Sequence, residues 1–142
     1  METKNKWIII VLIICHSCIS NHNIRINYDD PNAKKTNIEQ KIFDKIKGKM
    51  ICFENGFEQD TILIKFDNKF IDNKLIKYDT IKNYSYCLKY DKIDSVLKIK
   101  INKNDIKIAK NKVETYKFIY INKLKDKNNY TILLTNKPHL YK

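Results

Sequence analysis

From Lys49 to the C-terminus, apolar residues recur at every second position in short runs separated by polar turns. A period of two sends alternate side chains to opposite faces of an extended chain, so each run has an apolar side and a wet side. In TILIKF, Ile62, Ile64 and Phe66 share one face, opposite Thr61, Leu63 and Lys65. In VLKIKIN, Leu97, Ile99 and Ile101 oppose Lys98 and Lys100, while Ile106 and Ile108 pair in DIKIAK and Ile132 and Leu134 in TILLT. YKFIYIN differs: Ile119 and Ile121 take one side, Phe118 and Tyr120 the other. Apolar residues on both faces predict a central strand covered on both sides.

Turn chemistry separates the runs. Asn55-Gly56 reads as a hairpin turn, and Asp67-Asn68-Lys69, Asp72-Asn73, Asp91-Lys92, Asn102–Asn104, Asn111-Lys112 and Lys125–Asn129 mark further turns. The pattern predicts an all-β domain: an immunoglobulin-like or transthyretin-like antiparallel β-sandwich of seven to nine short strands. Antibody-type membership is excluded, since the only tryptophan, Trp7, lies in the leader, and Ser85 stands where a tyrosine corner needs Tyr. A short amphipathic helix over about 37–47 precedes the strands. Thr36 and Glu39 form a capping-box pattern, Ile38, Ile42, Phe43 and Ile46 fall on one face, and Gly48 provides the stop.

The first residues read METKNKWIIIVLIICHSCIS. The eight apolar residues Trp7–Ile14 are too few for the roughly 20 of a membrane-spanning helix. Preceded by Lys4 and Lys6, they fit a cleaved export signal. Ser17-Cys18 resembles the lipobox of bacterial lipoproteins, in which cleavage before the cysteine leaves it to carry the acyl chains. Ordinary cleavage after Ser20 stays open and would yield a freely secreted chain. The expected organisation is a signal at 1–17, a polar tether at 18–35 and one domain at 36–142.

The chain is basic, with a net charge of +12. A specific nucleic-acid reader is not expected, because Arg25 is the only arginine and phosphate and base recognition draws on arginine's bidentate fork. Lys, Asn and Ile fill about half the chain, a composition that AT-rich codons also produce. Cys52 and Cys87 are the cysteines of the folded part. In an oxidising compartment they suggest a disulfide, and two buried free thiols are the alternative. In NYSYCLKY the apolar face is Tyr84, Tyr86, Leu88 and Tyr90, and Cys52 sits opposite Ile51 and Phe53. If both cysteines point away from the core, they can join only as cross-strand neighbours in one sheet.

Together, the signal ending at Ser17-Cys18, the polar stretch after it, ENGFEQDTILIKFDNKFI, and the closing KFIYINKLKDKNNYTILLTNKPHLYK resemble small exported lipoproteins of the flavobacterial kind. That resemblance implies an outer-membrane or periplasmic lipoprotein anchored at Cys18, and it carries no catalytic residues. Asp60-Thr61-Ile62, Asp79-Thr80-Ile81 and Asp94-Ser95-Val96 resemble the Asp-Ser/Thr-apolar acceptor of bacterial O-glycosylation, with Thr61, Thr80 and Ser95 as the acceptors.

No cofactor or metal site is expected, since neither Cys52 nor Cys87 has a Cys or His at ligand spacing. A hydrolase would need a nucleophile, a base and an orienting group. Past the signal, only His22 and His139 can act as the imidazole, so a Cys52 or Cys87 dyad with His139 is the remaining enzyme reading. Tyr78, Tyr84, Tyr86, Tyr90, Tyr116, Tyr120 and Tyr130 are expected to fill or edge the core rather than stack on sugars or bases. The expected role is a non-catalytic, membrane-anchored module whose partner is a protein or glycan. Binding of an anionic glycan or other polyanion through surface Lys and Tyr is the alternative.

Overall fold

The structure is a computed structural model that describes residues 23–67, 69–79, 81–91, 95–124 and 129–141. Among the described residues, nine strands form two stacked sheets. The first holds, in spatial order, β1 (Ile24–Tyr28), β9 (Tyr130–Thr135), β8 (Phe118–Lys123), β2 (Lys49–Phe53) and β5 (Tyr86–Tyr90). The second runs β4 (Lys69–Ile76), β3 (Asp60–Phe66), β6 (Leu97–Ile101) and β7 (Asn104–Ile108). Helix α1 spans Asn37–Lys45, and a one-turn helix α2 spans Lys110–Thr115. The protein is an all-β sandwich.

Its core is built from the alternating positions. Ile62, Ile64, Leu97, Ile99, Ile101, Ile106 and Ile108 of the second sheet meet Ile51, Phe53, Ile119, Ile121, Ile132 and Leu134 of the first, all essentially sealed from solvent. Each such side chain contributes roughly 1.5–3 kcal/mol on burial, so the inward rows set the strand registers.

Not every pairing is antiparallel: β1 runs parallel to β9, and β2 parallel to β8. The other named pairings are antiparallel.

The expected tether is largely part of the domain. Residues 24–28 form β1, with Ile24 and Ile26 packed against the core. The chain beyond it is tied down by side chains. Thr135 Oγ1 donates to the Asp29 carboxylate at 2.7 Å, Tyr116 Oη donates to the Asp29 carbonyl at 2.7 Å, and Asn136 Nδ2 donates to the Pro31 carbonyl at 3.1 Å. Two isoleucines are too short a pattern to mark a strand. The partner edge on β9 supplies what the local sequence lacks.

Asn55-Gly56 is not a hairpin turn either, because β2 and β3 lie in different sheets. It is a corner by which the chain changes layers, with Gly56 at φ +84°. Asp72-Asn73 and Asn111-Lys112, expected as turns, sit inside β4 and α2. The turns at Asp67 (φ +49°) and Asn102 (φ +53°) do join antiparallel neighbours, β3 to β4 and β6 to β7.

Helix α1 begins as its capping box dictates. Thr36 Oγ1 accepts from the Glu39 N–H at 3.3 Å, and the Glu39 carboxylate accepts from the Thr36 N–H at 2.6 Å. Ile38 remains exposed, while Phe43 and Ile46 cover the outer face of the first sheet. There Cys52, Phe118 and Tyr120 form a second, smaller core under the helix and the C-terminal tail. Lysines tie both helices down. Lys117 Nζ donates to the Phe43 carbonyl of α1 and lies 3.9 Å from the Phe43 ring centre. Lys49 Nζ donates to the carbonyls of Val113 and Glu114 in α2 and of Tyr116 beyond it. A cation at the last carbonyls of a helix suits the negative end of its dipole.

Candidate functional site

β2 alternates Ile51 and Phe53 into the main core with Met50 and Cys52 onto the outer side. Cys52 faces Cys87 on β5 in register, and the two sulfurs are bonded, with the Cα atoms 4.1 Å apart. The bridge lies within one sheet, on its outer side. Cys52 is nevertheless buried, because the second core covers it.

The same face continues into Glu54, which is buried beneath the C-terminal tail. Its carboxylate accepts from Tyr141 Oη at 2.7 Å, from Asn122 Nδ2 at 2.8 Å and from the His139 ring. An ionised carboxylate only accepts, so Nδ1 of His139 carries the proton. The His139 ring lies parallel to that of Tyr120 with centroids 3.6 Å apart, and the His139 N–H donates to Tyr120 Oη at 2.7 Å. Burial pushes the Glu54 pKa up, but hydrogen bonds from His139, Tyr141 and Asn122 outweigh it and hold the group below its ordinary value. For Tyr141, burial and the Glu54 carboxylate both push the phenol up, so it stays a donor.

A shallow cleft of about 520 Å³ opens here, lined among others by Glu54, Tyr78, His139 and Tyr141. It adjoins a cleft of about 920 Å³ through Asn55 and Tyr78, which line both. In the larger one, buried Asp60 accepts from Lys123 Nζ at 2.7 Å, from Asn102 Nδ2 at 2.7 Å and from the Glu58 N–H at 3.1 Å. Its charge is neutralised within the fold.

Glu54 and His139 reproduce the base-and-orienter half of a hydrolytic triad. The nucleophile half has no counterpart among the described residues of the Glu54 cleft, none of which is Ser, Thr or Cys. Ser85 donates its hydroxyl to the Glu54 carbonyl at 3.0 Å, and the two cysteines are spent on each other. What the arrangement does is fasten the tail, since residues 139 and 141 both end on one buried carboxylate.

This latch has a pH signature. A carboxylate held below its ordinary pKa contributes stability above the unfolded-state value, and that stability is lost as pH falls through the folded one. The melting temperature should therefore drop on acidification below the usual carboxylate range, and by less in Glu54→Gln, which keeps the shape but not the charge. Thermal melts between about pH 3 and 7, a window that spans the carboxylate range, would show it. Equal acid slopes in the two proteins would mean the latch charge does not matter.

Thr61 is exposed in β3 with its N–H held by Asn102 Oδ1 at 2.9 Å, and Ser95 is half-buried just ahead of β6. Thr80 and Cys18 lie outside the described residues. Among the described residues, no group of three or more His, Cys, Asp or Glu could hold a metal ion, and no helix is long and apolar enough to cross a membrane. Of the tyrosines, Tyr90, Tyr116, Tyr120 and Tyr130 are buried, while Tyr78 and Tyr141 line the cleft. Glu54 was not legible as a site residue. Its only signal is position: it extends the outward row of Met50 and Cys52. Comparison with protein-family models, curated proteins and solved structures gives no match.

Proposed function

We propose that the protein is an exported, lipid-anchored module of the periplasm or outer membrane that binds a partner and does no catalysis. The observation that carries this reading is the Cys52–Cys87 bridge. A disulfide persists in oxidising compartments, where a cleaved export signal delivers its chain. The bridge also removes both thiols of the domain from nucleophilic duty, and His139 is occupied with Glu54 and Tyr120.

The position of β1 sharpens the geometry of the anchor. With the strand beginning at Ile24, only a few residues separate it from Cys18, so an acylated Cys18 would hold the start of β1 within about 20 Å. Two or more acyl chains on Cys18 suffice for stable attachment.

Cys18→Ala should move the protein from the detergent phase to the aqueous phase in a cloud-point partition, with the mature N-terminal mass losing its acyl groups. An unchanged partition, or a wild-type N-terminus that begins at Asn21, would defeat the anchored form of the reading.

A further inference from the structure

The outer face of the four-stranded sheet carries lysines in a row. Lys65 on β3 stands opposite Lys98 on β6, and Lys98 stands opposite Lys107 on β7. One residue pair along, Leu63 faces Lys100, which faces Asp105. Neighbouring strands lie about 4.8 Å apart, so the three aligned lysines form a ladder running across the strands. Phe70 extends the row on β4, opposite Lys65, and is more than half exposed. A trough of about 350 Å³ lies on this face between Leu63, Lys65, Lys98 and Lys100, with Asp67 and Asp105 as its acidic groups.

Folding does not explain the row. Like charges placed directly opposite one another weaken a sheet. Lysines that block edge pairing belong on edge strands, yet β3 and β6 are the two interior strands of this sheet. Codon bias raises lysine content over the whole surface and selects no row. Several lysines elsewhere are engaged: Lys49 and Lys117 hold helix carbonyls, Lys123 pairs with Asp60, and Lys112 lies over Tyr28. The side chains of Lys65, Lys98 and Lys107 have no ion-pair or hydrogen-bonding partner among the described residues.

We propose that this lysine ladder is a docking surface for a linear acidic polysaccharide, with Lys65, Lys98 and Lys107 meeting successive carboxylates or sulfates and Phe70 packing against a sugar ring at the end of the row. The proposal names the partner of the binding module proposed above and is independent of the anchor. Lysine presents a point charge on a flexible stem, which suits anionic groups repeated along a chain. It suits less well the bidentate reading of bases and phosphates, for which the face has no arginine.

The test uses the full chain in non-ionic detergent micelles and immobilised heparin as the probe. At about 150 mM salt the wild type should bind, with affinity falling as salt rises. The triple variant K65Q/K98Q/K107Q should bind at least about tenfold more weakly, whereas K34Q/K41Q/K45Q, which removes the same charge elsewhere, should change affinity by less than about threefold. Relief of repulsion means that Lys98→Gln alone should melt no lower than the wild type while still losing affinity, which separates binding from folding. Equal losses in the two triples, or no wild-type binding, would overturn the proposal. Tighter binding to a single-stranded oligonucleotide of matched charge would overturn the polysaccharide assignment. None of these results changes the Cys18→Ala partition, so surface and anchor fail separately.

Discussion

Replacing Cys52 and Cys87 together by alanine should lower the free energy of unfolding by about 3–4 kcal/mol, the chain-entropy value for a loop of this size. The two cysteines are 35 residues apart in sequence, and the loop between them contains β3 and β4, both in the opposite sheet. Without the bridge, the unfolded chain recovers the freedom that the cross-link had removed. Reductant should shift the wild type to the same denaturant midpoint and leave the double variant where it is. Equilibrium unfolding in urea, followed by tyrosine fluorescence, measures both. A loss below about 1 kcal/mol would show that the bridge does little for stability.

Gly56→Ala should cost about 3 kcal/mol or more, through two independent penalties. The residue sits at φ +84°, a left-handed conformation that side chains disfavour. A β-carbon there would also lie 1.8 Å from the Lys123 carbonyl oxygen and 2.7 Å from its carbonyl carbon. Backbone cannot swing aside as a side chain can. The corner would have to lift off β8, breaking the bond from the Lys123 N–H to the Asn55 carbonyl at 2.9 Å and the Asn55 N–H to Asn122 Oδ1 bond at 3.1 Å. Asn122 also serves Glu54, so the tail latch should loosen with the corner. Urea midpoints report the global cost, and hydrogen exchange of the Lys123 amide reports the local one. Wild-type protection at Lys123 in the alanine variant would show that the corner does not pass so close to β8.

These two sites differ in how visible they are beforehand. Cysteine parity turns both sulfurs away from the apolar faces of their strands, so a bridge was readable only on the condition that the two strands are neighbours in one sheet, and the pairing of β2 with β5 meets it. Asn55-Gly56 announces a positive φ just as clearly, but positive φ does not say whether the next strand returns beside the last one. Here it crosses to the other layer, and the tight contact with Lys123 follows from that crossing. Glu54 was hidden for a related reason. Its partners Asn122, His139 and Tyr141 are 68, 85 and 87 residues away, and nothing local distinguishes it from a solvated turn carboxylate. The lysine ladder is half visible. Alternation puts Lys65, Lys98 and Lys100 outward, but only strand order and register align Lys65, Lys98 and Lys107 into a row.

Alternation of apolar and polar residues by itself determined that this chain makes short strands, which side of most of them is buried, and where α1 starts. Those features depend on side-chain period and on hydrogen bonds three residues apart, so neighbouring residues suffice to specify them. Tertiary structure alone decided the parallel pairing of β1, the layer change at Gly56, the burial of Cys52 and Glu54 under the tail, and the alignment of the lysines. Each of these depends on which distant backbone lies alongside, a choice made by the packing of the whole core rather than by any one segment.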